Sequence, residues 1–137
     1  MNKITGTVIT LNNEKTIKEC IQSLKNICDE IIVVDSISKD QTCELAKNMG
    51  AKVIEQPFLG DGPQKIFASE FAVNKWVFSL DADEKLEDDL IRFVKSLDLD
   101  NSNYDGYSFK RRNYCGNRWI KAAGFYPDRV IRLYNKK

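Results

Sequence analysis

Two carboxylates separated by one small residue, Asp81-Ala82-Asp83, follow the apolar run Trp76-Val77-Phe78-Ser79-Leu80. In extended backbone, side chains two apart point to the same side. This spacing can therefore present two carboxylates to one cation or one nucleotide, with Ala82 leaving room. Mg2+ keeps several waters and binds through one or two carboxylates together with substrate phosphates. The same run also reads as the acidic opening of the next helix, because acids are favoured at helix N-termini. Glu84, Glu87, Asp88 and Asp89 fit that second reading. A further acid, Asp35, closes the run Glu30-Ile31-Ile32-Val33-Val34. Open α/β sheets bind ligands beyond the carboxyl ends of their strands. If the two strands are parallel and close, Asp35 and Asp81 project at one sheet edge.

The residues that are missing narrow the chemistry. The chain has no histidine. That removes Ser-His and Cys-His nucleophile pairs and any His-bound metal from these residues, so base work falls to a carboxylate. Oxygen ligands favour Mg2+ or Mn2+ as the cation. There is no Gly-x-Gly-x-x-Gly after a strand and no P-loop signature. Phosphate charge must then be met by metal and basic side chains. Lys65, just after the Gly60–Gly62 loop, is one candidate; the alternative is a surface lysine at a helix start.

The elements that must position these residues alternate in type. Thr5 to Leu11 reads as a strand. Ile17, Cys20, Ile21, Leu24 and Ile27 recur at helical spacing, which predicts a helix over Glu14 to Asn26. Glu30 to Asp35 reads as a strand buried on both faces. A helix over Gln41 to Met49 follows, with Gly50 at its C-cap, and then a strand over Lys52 to Glu55. Pro57, Gly60, Gly62 and Pro63 mark Gln56 to Pro63 as a loop. A helix over Gln64 to Val73, a strand over Trp76 to Leu80 and a helix over Glu87 to Leu97 follow. After the polar loop Asp98 to Asp105, strands are expected over Tyr107 to Arg111 and Arg129 to Tyr134. Alternation of this kind implies βαβ units and a mostly parallel sheet with helices on its faces.

The 137 residues suit one domain, and a domain of this size buries roughly 68–70% of its unfolded surface. No apolar run approaches the ~20 residues needed to span a bilayer, and the N-terminus carries no signal-peptide pattern. The cytoplasm is the expected compartment. Cys20, Cys28, Cys43 and Cys115 lack Cys-x-x-Cys spacing and read as reduced thiols in helices and one loop. The net charge of +1 hides an acidic stretch from Asp81 to Asp105 and a basic one from Lys110 onward. That basic tail suits phosphates, acidic glycans or peripheral contact with an anionic inner-membrane face; the alternative is a solvated surface. Nucleic acid is not an expected partner.

The ordered set Val8-Ile9-Thr10-Leu11-Asn12-Asn13-Glu14, Val33-Val34-Asp35-Ser36, Gly60-Asp61-Gly62-Pro63-Gln64-Lys65 and Leu80-Asp81-Ala82-Asp83-Glu84 resembles family 2 glycosyltransferases of the GT-A fold. The stretch from Arg111-Arg112-Asn113-Tyr114 through Gly116-Asn117-Arg118-Trp119-Ile120 and Tyr126-Pro127-Asp128 to Arg132-Leu133-Tyr134 resembles their lipopolysaccharide core-biosynthesis branch. The resemblance implies an α/β, Rossmann-like fold for nucleotide-diphospho-sugar transfer, cut short at its C-terminus. Residues 1–97 would form the donor-binding part and 98–137 the start of the acceptor part. It implies that Thr10, Asn12 and Glu14 line the nucleoside pocket and that Asp35 contacts base or ribose. Lys65 would approach base or diphosphate, Asp81 the ribose and metal, and Asp83 would ligate Mg2+ or Mn2+. The reaction would be an inverting displacement from a nucleotide-diphosphate sugar donor onto a glycan or glycolipid acceptor. Arg111, Arg112 and Arg118 would meet an anionic acceptor, and Trp119 would stack on sugar or pack in the sheet.

Two features depart from the family pattern. Ile37, in Ser36-Ile37-Ser38-Lys39-Asp40, stands where the family commonly has glycine. The family's base generally lies beyond the last residue here; Asp128, the single acid of the basic tail, is the candidate base and otherwise a turn or acceptor-loop residue. Three rivals use similar residues. A nucleotidyltransferase would want a Gly- and Lys-rich loop after the first strand. A phosphohydrolase would place Asp-x-Asp after its first strand. A non-catalytic α/β module would bind cation without preference for nucleotide sugars.

Overall fold

The computed structural model describes residues 2–114, 117–121 and 129–136, the side chains of 110–130 excepted. Its elements are β1 (Ile4–Thr10), α1 (Ile17–Leu24), β2 (Glu30–Asp35), α2 (Thr42–Asn48), β3 (Lys52–Glu55), α3 (Asp61–Ser69), β4 (Trp76–Asp81), β5 (Glu84–Leu86), α4 (Asp88–Ser96), β6 (Gly106–Tyr114), β7 (Asn117–Lys121) and β8 (Arg129–Asn135). The strands form one sheet in the order β3-β2-β1-β4-β8-β6-β7-β5. The first four neighbours, β3 to β4, are parallel. β8, β6 and β7 pair antiparallel, and β5 closes the far edge parallel to β7. This is the expected α/β fold with a mostly parallel sheet flanked by helices.

β2 shows why a continuous apolar run forms a central strand. Ile31 and Val33 face the core shared with Ile17, Cys20, Ile21 and Leu24 of α1, Ala46 of α2 and Leu90 and Val94 of α4. Ile32 and Val34 face the opposite side, against Ala68 and Phe67 of α3. Both faces are dry, so a polar residue at any of these positions would forfeit about 1.5–3 kcal/mol of burial. The bounds of β2 and β3 match those expected from the sequence. Gly50 sits at φ 91°, the left-handed conformation that ends α2.

Several boundaries differ from expectation, each for a physical reason. α3 begins at Asp61, inside the segment expected to be loop, and ends at Ser69. Gly60, at φ 113°, turns the chain into the helix. Pro63 then falls in the first turn, where its missing N–H is no loss. α1 starts at Ile17, not Glu14, because Glu14 is held by the β2–α2 loop: its N–H donates to Asp40 Oδ2 at 3.2 Å and its Oε1 accepts from the Gln41 N–H at 3.1 Å. β5 was not expected at all, and β7 lies between the two late strands that were expected. Glu84 therefore does not open a helix. Glu87, Asp88 and Asp89 do, as N-cap and first turn of α4. Cys20, Cys28 and Cys43 are free thiols in α1, a loop and α2; Cys115 lies outside the described residues. Among the described residues, no helix is long and apolar enough to cross a membrane.

Candidate functional site

The parallel register carries Thr10 opposite Asp35 and Ile9 opposite Asp81. The carboxyl ends of β1, β2 and β4 thus meet at one edge, as the two acid-terminated runs implied. A cleft of about 370 Å3 opens there, lined by Thr10, Leu11, Ser36, Phe58, Asp81 and Asp83 among others. A larger cavity of about 750 Å3 lies at the other end of β1, between Ile4, Cys28, Val94 and Leu97. Size favours the larger one, but sheets of this class bind ligands at the carboxyl edge, and only the smaller cleft gathers Asp81 and Asp83.

Asp81 and Asp83 share the cleft for a different reason from the one expected. The backbone is not extended across them: Asp81 ends β4, Ala82 and Asp83 form a tight turn, and Glu84 starts β5. Ala82 is buried beneath the turn and Asp83 is exposed at its tip. The side chain of Asp81 is partly exposed, with Lys65 Nζ 3.4 Å from Oδ1 and Arg132 Nη2 3.7 Å from Oδ2. Lys65 reaches from α3 to the Asp81 carboxylate.

Glu84 and Arg132 were not singled out as site residues. Their side chains are almost wholly buried, and Arg132 Nη2 donates to Glu84 Oε2 at 2.9 Å. Glu84 Oε1 accepts the Asp81 backbone N–H at 2.9 Å. No local signal marks this pair, because its members lie 48 residues apart. Ser36, Phe58 and Asp61 also line the cleft without having been singled out. The exposed ring of Phe58, in a Pro- and Gly-bounded loop, was the only readable hint.

Asp35 has no exposed surface. Its Oδ1 accepts from Thr10 Oγ1 at 2.5 Å and Ser38 Oγ at 2.6 Å, and its Oδ2 from the Ser38 N–H at 2.7 Å. Burial pushes the carboxyl up, but the hydrogen bonds from Ser38, Thr10 and Cys43 outweigh it and hold it below the ordinary value. Burial, with Asp35 beside it, pushes the Cys43 thiol up to about 12. Asp35 thus shapes the wall of the cleft from behind. Asn12, at φ 55°, joins the same loop: its N–H donates to Ser38 Oγ at 2.7 Å and its Oδ1 accepts the Lys39 N–H at 2.8 Å. Ile37 sits in this loop at φ 60°, half-exposed, a conformation that disfavours β-branched residues. Of the residues expected at the nucleoside pocket, the structure brings Thr10 to the cleft wall and places Asn12, Glu14 and Asp35 in the loop scaffold behind it. Arg111 and Arg112 lie on β6 and Arg118 and Trp119 on β7, paired through their backbones. Their side chains, and Asp128 altogether, lie outside the described residues.

The donor set fits a hard divalent cation that shares its shell with a ligand. Asp61, Asp81 and Asp83 line one cleft, with Asp81 and Asp83 on its turn, and among the described residues no three His, Cys, Asp or Glu side chains converge as a ready-made metal cage. Two protein carboxylates, waters and phosphate oxygens are the usual shell of Mg2+.

The family model for glycosyl transferase family 2 matches residues 7–137. An uncharacterized glycosyltransferase of Rickettsia typhi is 43% identical over all of this chain and 48% of its own length. The lipopolysaccharide core biosynthesis glycosyltransferase LpsC of Rhizobium meliloti is 32% identical over 93% of this chain and 47% of its own. This chain therefore spans about half the length of these curated relatives. Among solved structures, S. aureus TarS 1-349 superposes with a TM-score of 0.71 at 25% identity, covering 85% of this chain and 37% of that one. Glucosyl-3-phosphoglycerate synthase of Mycobacterium tuberculosis, solved with Mn2+, uridine diphosphate and glucosyl-3-phosphoglycerate, superposes at 0.53 with 29% identity over 59% of this chain and 33% of that one. With its GT-A-like sheet and the acid-lined cleft at its carboxyl edge, the chain belongs to glycosyl transferase family 2.

Proposed function

We propose that this chain forms the donor-binding half of a metal-dependent glycosyltransferase that takes a nucleotide-diphosphate sugar. The observation that carries the reading is the meeting of Asp81, Asp83 and Lys65 at the carboxyl edge of the parallel strands. Asp83, exposed at the turn, and Asp81, behind it, would hold Mg2+ or Mn2+. When bound, the cation neutralises charge building on the departing nucleoside diphosphate. Lys65 supplies a second positive charge on the same side. Thr10 and Ser36 line the wall beside Asp35, which its hydrogen bonds keep ionised and rigid. The exposed Phe58 ring offers an apolar face for base or sugar. The synthase neighbour's complex with Mn2+ and uridine diphosphate supports the same cation and ligand class here.

The finer reading is an inverting transfer onto a glycan or lipopolysaccharide-core acceptor. It draws on the likeness to LpsC and on the basic tail. Arg111, Arg112 and Arg118 would meet the anionic acceptor, Trp119 its sugar rings, and Asp128 is the candidate base. Such an enzyme would work at the cytoplasmic face of an inner membrane.

Calorimetry with Mn2+ and a panel of uridine-, guanosine- and adenosine-diphosphate sugars tests the proposal. Saturable, metal-dependent binding of one donor is expected, lost in Asp83→Ala with the fold intact. Cation binding with indifference to every nucleotide would instead make the chain a non-catalytic α/β module.

A further inference from the structure

Under the cleft floor lies a charged pair that the proposed chemistry does not use. Asp81 to Glu84 is a tight turn, and the Glu84 carboxylate fills its inside. Glu84 Oε1 accepts the N–H of Asp81, closing the turn on itself. Glu84 Oε2 accepts from Arg132, whose Nη1 also donates to the Ser79 carbonyl at 3.3 Å. The same guanidinium stands 3.7 Å from Asp81 Oδ2. One side chain thus ties together β4 before the turn, the carboxylate at the start of the turn and the carboxylate at its end. Arg132 comes from β8, which pairs antiparallel with β4 through Trp76, Val77 and Phe78. The anchor is therefore part of the sheet itself.

We propose that Arg132 and Glu84 are positioning residues that fix the direction in which Asp81 and Asp83 offer their carboxylates to a divalent cation. The inference rests on the reading of the cleft as a cation and diphosphate site. A buried ion pair is weak ground for stability, because well-packed neutral replacements are often as stable or more so. Its other effect is geometric. Glu84, committed to Arg132 and to the Asp81 N–H, is held out of the cleft lining, and the turn carries Asp81 and Asp83 in a fixed arrangement. Partners that orient metal ligands typically cost 10- to 100-fold in metal affinity when removed.

Positioning and plain electrostatics predict opposite signs. Loss of Arg132 leaves the site one charge more negative, which by Coulomb attraction alone tightens a cation. Positioning requires that the same loss weakens it. The double variant Glu84→Gln/Arg132→Met leaves net charge unchanged, keeps an acceptor for the Asp81 N–H and strands no buried charge.

The test titrates the 137-residue chain with Mn2+ in the presence of UDP, following the spectrum of free Mn2+ by electron paramagnetic resonance, with circular dichroism as the fold control. The double variant is expected to fold and to bind Mn2+ with UDP about 10-fold or more weakly, and Arg132→Lys to lie between it and wild type. A folded double variant with wild-type affinity overturns the positioning role and leaves the donor site standing. Tighter Mn2+ binding by a folded Arg132→Met chain overturns it as well. Failure of the wild-type chain to bind Mn2+ with any of UDP, GDP and ADP overturns the donor-site reading, and the positioning role with it.

Discussion

Arg132→Met isolates the energetics of the buried pair. Glu84 is 2% exposed and Arg132 1% exposed, so neither charge has water to turn to. Removing the guanidinium leaves the Glu84 carboxylate buried, near that of Asp81, with its 2.9 Å partner gone. Breaking one side of a buried pair costs about 3–5 kcal/mol. For 137 residues, an unfolding entropy of about 2.1 cal/mol/K per residue gives ~290 cal/mol/K. The melting temperature should therefore fall by about 10–17 °C. Adding Glu84→Gln to the same chain removes the buried negative charge that faced the guanidinium. The double variant should recover most of that loss, so the two substitutions couple by several kcal/mol rather than add. Urea unfolding followed by circular dichroism measures each corner of the cycle at pH 7. If Arg132→Met melts within ~1 °C of wild type, or if the two losses simply sum, the pair is not the desolvated contact described and the reasoning fails.

Two further outcomes follow from the loop behind Asp35. Because the Asp35 carboxyl is held below its ordinary value, its hydrogen bonds stabilise the fold above the unfolded value near ~3.9. That contribution fades as pH falls through the lower folded value. Ser38→Ala removes one hydroxyl donor and should cost about 1–2 kcal/mol at pH 7, a deficit that shrinks in acid; denaturant curves at pH 7 and pH 3 with equal deficits would contradict this. Ile37→Asn places a residue tolerant of the left-handed region at φ 60°, where an L side chain costs about 1–2 kcal/mol. After loss of some apolar contact, a net gain of about 0.5–1 kcal/mol is expected, and a lower melting temperature would show that the Ile37 side chain matters more than its backbone.

The strands were legible wherever the signal was local. β2 and β3 could be bounded to the residue because Glu30–Asp35 and Lys52–Glu55 sit between turn-forming segments and carry β-branched side chains, buried in β2 and partly buried in β3. The helices were legible by face but not by end. Glu14 belongs to a contact with Asp40 and Gln41, and Gly60 and Pro63 start a helix instead of closing a loop. Lys65 was readable as basic and well placed, yet its 3.4 Å approach to Asp81 depends on how α3 packs across β1 and β2.

Composition and order alone determined that this chain makes an α/β sheet, that Asp35 and Asp81 end two of its strands, and that a cation here would meet oxygen ligands. Those properties depend on side-chain type and on alternation along the chain. Only the tertiary structure decided that Asp81 and Asp83 sit on a turn, that Asp35 faces inward, and that Glu84 is buried under Arg132. Each depends on a pairing between distant segments, β1 with β2 and β4 with β8, whose register no local stretch encodes.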